Sequence, residues 1–475
     1  MATFDFTNLF IYRWRYVLGY GVVGLALITL LTFAGLYLPG GVSESEMNAV
    51  VRSDTLSFSD ISTFAITSLP YYLLQSLSID LFGVHDISIK LPSLLLGFAS
   101  AIGLIFLLRR WFSRNIAVLG SLIAITTGQF LFVAQNGTPG ILFIFWPVML
   151  LLLGTLVTRA KRFRSVWKFL FFVTAALSLY TSLSIYPLIA ILLAVLLHPH
   201  LRNVVRNLSK QKIISFSIVS LAILSPLIYN VITTPSLIIS LLGVPPEFPN
   251  LLENIKIVAH QYLDFWRPSS TTLMTPVFGL GSMLLILYGL FRVIKTRSDT
   301  QSYLILIWLA CLIPVIIINP TFTSVMFVPL VLLLTIGLSR LTNYWYRLFP
   351  RNPYARIAGL IPLLLLVLAL ISSGLDRYAN GYYYQPQTVQ NFSKDLTLLP
   401  NDTKTLVVTS SELPFYKTVE RHTDGLSVGT TPTTDTFIAT RAAKQAYPGY
   451  EIDQIITSVN VNEADRFYLY KKVQQ

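Results

Sequence analysis

Over most of the chain, apolar positions do not alternate with polar ones. Unbroken apolar runs of nearly 20 residues recur between residues 16 and 374, separated by short polar and basic stretches. A run of that length crosses a hydrocarbon core of about 30 Å as an α-helix. A helix on a water-soluble surface would show a polar face instead. The pattern predicts eleven spans, at 16–38, 88–110, 115–134, 138–158, 166–185, 187–199, 212–232, 275–294, 302–319, 323–341 and 356–375. Three segments break it: residues 39–87, residues 233–275 and the tail 376–475. In the first, "TSLPYYLLQSLSIDLFG" carries apolar residues at helical spacing around Gln75 and Asp80. It is too interrupted to span well and predicts an amphipathic helix along the membrane interface. The tail holds strand-like runs at 405–410, 436–442, 451–459 and 466–472, with turn residues such as Pro400-Asn401-Asp402 between them. The expected fold is therefore an α-helical polytopic membrane protein of about eleven helices over 1–375. A small extracytoplasmic α/β domain would follow over 376–475.

Composition agrees. The chain is 54% hydrophobic and 12% charged, with a mean hydropathy of +0.64, against about 25% charged residues in soluble domains. A net charge of +13 raises the question of nucleic acid, and its distribution answers it. Basic clusters at Arg13 and Arg15, at Arg109, Arg110 and Arg114, at "RAKRFR" (159–164), around Arg202 and Arg206, around Arg292 and Lys295, and around Arg340 and Arg347 fall in alternate loops. That is the positive-inside pattern of a membrane protein. It puts the N-terminus in the cytoplasm and the tail outside, and leaves no role for nucleic acid. The first run ends in Pro39-Gly40 without a small-x-small cleavage site, so it reads as a retained signal anchor. Cys311 is the only cysteine, so no intrachain disulfide or thiolate metal site can form.

In this topology nearly all the acids lie outside, and chemistry is sought there. Glu44 and Glu46, in "GGVSESEMNAVVRSD", sit where the first span emerges. They read either as caps on a helix end or as catalytic carboxylates. His260 and Asp264 share a face if "NIKIVAHQYLDFW" is helical, and with Glu253 or Arg267 could hold a divalent cation or a phosphate. One His and one Asp fall short of a metal signature, and structural contacts are the plainer reading. Asp86 and Lys90, four apart, read as a local ion pair, and Asp54 and Asp60 as loop or cap residues. Tyr71, Tyr72 and Trp266 could line a sugar pocket or be interfacial aromatics.

The segment "LPYYLLQSLSIDLFGVHDISIKLPSLLLG" (69–97) resembles the protein O-mannosyltransferase and aminoarabinose-transferase group, glycosyltransferase family 39, through Pro70, Tyr72, Phe82-Gly83, Leu91-Pro92-Ser93 and Gly97. "GQFLFVAQNGTPGILFIFW" (128–146) and two later stretches are similar to further spans of these class C enzymes. The resemblance implies sugar transfer from a polyprenyl-phosphate donor in the bilayer to an extracytoplasmic lipid, glycan or protein acceptor, with inversion. It also implies an Asp-Glu pair after the first span. "SESEMN" puts Glu46 on that glutamate and Ser45 on the aspartate, with Glu44 one residue before. The implied base is Glu46, or else Glu44. Lys90, Arg267 and Arg52 are the candidates for the phosphate, since the family's basic residue before Pro-Pro falls near Ser68. Tyr72, His260 and Asp264 complete the candidate substrate contacts. Two other classes stay open: a lipid-linked glycan flippase or transporter, and an inactive relative that binds the cell envelope. The absence of a visible repeat and of ionisable residues within most spans speaks against the transporter.

Overall fold

The computed structural model describes residues 21, 24–33, 41–57, 60–159, 162–206, 210–245, 247–265, 274–297, 299–348, 353–382, 388, 391–392, 394–400, 402–457 and 466–473. The described part of the first apolar run is helical, α1 (Gly24–Phe33). Two shorter helices follow, α2 (Glu44–Asp54) and α3 (Leu69–Phe82), the second standing where an amphipathic helix is expected, with Pro70 in its first turn and Gly83 at its end. Next come α4 (Asp86–Trp111), α5 (Arg114–Ile125), α6 (Gly128–Gln135), α7 (Leu142–Arg159), α8 (Arg164–Ser178) and α9 (Ile185–Leu197). After them run α10 (Pro199–Arg206), α11 (Lys210–Thr233), α12 (Ser236–Leu242) and α13 (Leu251–Leu263). The last four of the helical region are α14 (Leu280–Lys295), α15 (Thr300–Ile318), α16 (Phe327–Leu348) and α17 (Pro353–Asp376).

Among the described residues six helices are long and apolar enough to cross a membrane, or seven if the bent pair α5 and α6 is one span. Helices stand at each expected span, but α8, α9 and α14 are shorter than a full crossing. The span expected at 115–134 is not one helix: it bends by 61° between α5 and α6. Thr126 and Thr127 turn their hydroxyls back onto the carbonyls of Leu122 and Ala124, each at 2.7 Å, and Thr127 Oγ1 then accepts from the Phe130 amide at 3.4 Å. Such side-chain bonds compete with the helix ladder and give α6 its own cap. The corner is packed backbone to backbone: a Cβ on Gly374 would lie 2.4 Å from the Thr126 carbonyl oxygen. Helices α14 and α16 cross equally closely, since a Cβ on Gly289 would lie 2.0 Å from Leu333 O and one on Gly337 2.2 Å from Leu285 O. Small residues permit that approach where lipid supplies no hydrophobic drive.

The tail forms a five-stranded sheet in the order β2-β1-β3-β5-β4. Its strands are β1 (Thr405–Val407), β2 (Ser427–Gly429), β3 (Thr436–Thr440), β4 (Tyr450–Thr457) and β5 (Arg466–Lys472). Strand β1 runs parallel to β2 and β3, joined to β2 through α18 (Leu413–Arg421), and β5 is antiparallel to β3 and β4. One sheet face is closed by aromatic rings, with Phe437 and Tyr470 stacked at 5.0 Å. The other is not a separate core. Leu406, Val408, Phe415, Tyr416 and Val419 pack with Val42, Val50, Ile79, Val84 and Ile89 of the first loop and α2 to α4. Asp54, expected as a loop or cap residue, accepts instead from Thr418 Oγ1 at 3.0 Å and pairs with Arg421. Asp60 is a cap, taking the Ser62 amide at 2.9 Å.

Candidate active site

The acid helix α2 begins with a capping box. The Ser43 amide donates to Glu46 Oε2 at 2.8 Å and the Glu46 amide to Ser43 Oγ at 3.2 Å. Two amides that a helix start leaves without partners are thereby satisfied. Glu46 is also a tertiary tie. Its Oε1 accepts from the amide of Gly137, in the turn between α6 and α7, at 2.6 Å, and the residue is 0% exposed. From the other side Gln75 Nε2 donates to the carbonyls of Gly137 and Ile89, each at 3.1 Å. Ser93 Oγ, itself 2.8 Å from the Tyr71 hydroxyl, reaches the Thr138 carbonyl at 3.3 Å. Only a glycine fits at 137, because a Cβ there would lie 2.8 Å from Ile89 Cγ2 and 3.1 Å from Glu46 Oε1. Glu44 and Ser45 are exposed on the same helix start, where a carboxylate is favoured by the helix dipole.

Lys90 reaches this junction from α4. It is 2% exposed and its ammonium donates to the Gly41 carbonyl. Asp86 feels the charge of Lys90 together with those of Asp395, Glu46 and His85, and its Oδ1 is buried with no hydrogen-bond partner. The expected ion pair is not made: Lys90 turns its ammonium to the Gly41 carbonyl, and its charge reaches Asp86 only at longer range, within a larger cluster. Gly41 has φ +83°, and a Cβ there would meet the Lys394 carbonyl at 2.7 Å and Asp86 Oδ2 at 2.8 Å. The next residue, Val42, pairs antiparallel with Lys394 through bonds of 2.7 and 3.3 Å. Lys394 in turn pairs with Glu412 of the tail. Burial alone would raise the Glu412 carboxyl, but Lys394 and hydrogen bonds from Thr440 and Thr409 hold it below the ordinary glutamate range.

Arg52 and Tyr72 meet at the far end of α2. Burial pushes the Tyr72 hydroxyl up, opposed by the charge and hydrogen bond of the Arg52 side chain. The α13 candidates form a group of their own. His260 Nδ1 lies 3.1 Å from Asp264 Oδ2 on the exposed face, while Gln261 and Tyr262 hold the buried face through the carbonyls of Pro320 and Thr323. Glu253 is exposed, and Arg267 and Trp266 lie outside the described residues. Among the described residues no group of three or more His, Cys, Asp or Glu could hold a metal ion.

Residues 68–229 match the sequence family described as dolichyl-phosphate-mannose-protein mannosyltransferase. Two solved structures align over nearly the whole chain. ArnT from Cupriavidus metallidurans bound to undecaprenyl phosphate superposes with a TM-score of 0.56 at 13% identity, covering 95% of this chain and 98% of that one. Its apo form gives 0.55 at 12%, covering 96% and 98%. The chain resembles the family 39 membrane glycosyltransferases. The oligosaccharyltransferase of Archaeoglobus fulgidus, tethered to an acceptor peptide containing the NVT sequon, has a TM-score of 0.53 at 14% identity, covering 86% of this chain and 64% of that one. No curated protein matches in sequence. With its apolar helices, this glycosyltransferase-like chain is a multi-pass membrane protein. The sequence match spans α3 to α11, so it takes in Gln75, Lys90 and Gly137 but not Glu46.

Several residues of the junction escaped the sequence reading. Gln75 was visible as a polar residue amid an apolar helical stretch, and Ser43 with Glu46 spells the Ser-x-x-Glu signature of a capping box. Gln135, which the sequence places at a helix end where a cap is expected, is 0% exposed with both amide atoms unpartnered, and Arg377, just past the last apolar run, carried no local signal.

Proposed function

We propose that the protein is a membrane glycosyltransferase that moves a sugar from a polyprenyl-phosphate donor to an acceptor outside the cytoplasm. What supports the reading most is the junction at residues 41–46. It brings an acid helix start and a buried lysine to one place, within a fold shared with a structure that holds undecaprenyl phosphate. The acceptor's nucleophile attacks the anomeric carbon, and the bond to the donor phosphate breaks with its electron pair leaving on phosphate. One displacement inverts the centre and needs no enzyme nucleophile. The acceptor's proton passes to a carboxylate. Both Glu46 oxygens are engaged by protein donors, so Glu46 holds the frame and the exposed Glu44 takes the base role. Lys90 supplies positive charge for the departing phosphate. The tail and the 39–87 loop lie together on the outer side.

The test is sugar transfer by purified protein in nanodiscs from radiolabelled undecaprenyl-phosphate sugars. Glu44→Gln should lose at least about 100-fold in rate, the lower range for a general base, without loss of folding. Full transfer by that variant would overturn the base assignment. A second reading, an inactive envelope-binding relative, is favoured by Ser45 and by the enclosure of Glu46. It predicts no transfer from any donor by a folded wild-type protein.

A further inference from the structure

A half-open cavity lies between the last turns of α16 and the first half of α17. Its walls are Leu341, Tyr344 and Trp345 on one side and Pro362, Leu363 and Leu366 on the other. The lining is almost wholly apolar, and the Thr342 hydroxyl beside it donates within α16, to the Leu338 carbonyl at 2.9 Å. The volume is about 180 Å³. An apolar cavity of about 150 Å³ takes up benzene, so this one has room for a stretch of hydrocarbon chain. Next to it on α17, Ile361, Leu364 and Leu365 are each more than half exposed, as on a helix that faces lipid.

The cavity sits at the end of the bundle away from the junction. Helix α16 starts against α6, where Phe327 stacks on Phe130 at 6.0 Å, and Tyr344 follows about 25 Å further along the helix. Positive charge collects at the same end. Phe278, ahead of α14, stacks on Phe327 at 5.8 Å, and Gly289 meets Leu333 further on, so α14 and α16 run the same way. Their last turns, with Arg292 and Lys295 on one and Arg347 on the other, therefore end together. Arg340 and Arg347, both exposed, stand about one turn to either side of Tyr344 on one helix face. Arg351 and Arg356 follow in the connection and the first turn of α17, and no acidic residue occurs between Thr300 and Leu375. Orientation during insertion accounts for arginines at this end, but not for an apolar cavity beside them. The two together fit a molecule with a hydrocarbon chain and an anionic head. Guanidinium forks match phosphate oxygens, and basic pockets between membrane helices take anionic lipid headgroups.

We propose that the α16–α17 cavity is a binding site for an anionic phospholipid of the bilayer, with an acyl chain between the two helices and the headgroup phosphate on Arg340 and Arg347. The site is independent of the donor reading and lies at the opposite end of the bundle from Glu44 and Lys90. The test measures binding of phosphatidylglycerol and phosphatidylcholine to the full-length protein in detergent, by native mass spectrometry and thermal shift, with undecaprenyl phosphate as competitor. Wild type should retain phosphatidylglycerol over phosphatidylcholine. Arg340→Gln combined with Arg347→Gln should weaken phosphatidylglycerol by about 30-fold, at about fivefold per arginine. Filling the cavity with Leu363→Trp should weaken it as well, while Arg202→Gln with Arg206→Gln, on exposed positions of α10, should leave it unchanged. Equal retention of the two phospholipids, or wild-type affinity after the changes at 340 and 347, would overturn the proposal. So would an equal loss from the α10 pair, which marks diffuse surface charge. Displacement by equimolar undecaprenyl phosphate would give the site to the polyprenyl lipid and overturn the phospholipid assignment. Should Leu363→Trp fail to fold, Leu366→Phe fills the same cavity with a smaller ring; unchanged affinity in the folded variant overturns the placement of the acyl chain.

Discussion

Two acids in this molecule, Asp264 and Glu46, meet polar partners in opposite ways. On α13, His260 and Asp264 meet one turn apart at 3.1 Å on an exposed face. Their contact is local and follows from spacing. At the start of α2, Glu46 is fully buried and joins Ser43, three residues away, to Gly137, 91 residues away. The first pair could be lost without moving the backbone. The second holds a loop, a helix start and an interhelical turn in one arrangement. Enclosure, more than the presence of an acid, separates a framework carboxylate from a surface one.

The largest effect expected from that contrast is on Glu46. Glu46→Ala leaves the Ser43 and Gly137 amides without an acceptor and should cost about 2–5 kcal/mol of stability, read as a drop in melting temperature of the solubilised protein. An unchanged melt would erase the distinction between the two sites. Gly137→Ala attacks the same tie from the opposite side. The added methyl meets Ile89 and the Glu46 carboxylate, and a loss of about 1–3 kcal/mol is expected, smaller but not abolished once Glu46 is already alanine, because the clash with Ile89 remains. The Glu412 carboxyl sharpens the comparison through pH. Its folded value is depressed by Lys394, so its contribution is complete above the unfolded glutamate value of about 4.3 and is lost as pH falls through the folded one. Melting of the wild type should therefore decline through this acid range more steeply than that of Glu412→Gln. A parallel decline would show that Lys394 gives no pH-dependent support. The smallest effect belongs to α13, where His260→Ala should change stability by less than about 0.5 kcal/mol.

What the sequence revealed and what it hid divide along the same line. Apolar run length marked the positions of the helices, and β-rich runs located four of the five strands, with the three-residue β2 too short to register. Helix α3 was readable because its apolar spacing is local. The bend at Thr126 and Thr127 was written in "ITTGQF", where two hydroxyls precede a glycine, but an apolar window averages over it. Asp54 looked like a solvated loop acid because its partners, Thr418 and Arg421, lie more than 360 positions further on. Glu46 had a local signature for its cap and none for its bond to Gly137. Arg377 gave no sign, because its bond to the Pro276 carbonyl shows only once the approach to α14 is in place.

The bridge between Val42 and Lys394 also has a consequence for how the protein is made. The segment before Glu46 is synthesised well ahead of its backbone partner, which is in the tail. At about 5–20 residues per second, roughly 20–70 s pass between the synthesis of the two. Throughout that interval the helices can insert and pack, while the Val42 backbone ahead of α2 lacks its Lys394 partner. A chain stopped short of residue 394 would enter the membrane with its helical body assembled and this corner unfinished. This corner would then be completed last, by the arrival of the C-terminal residues.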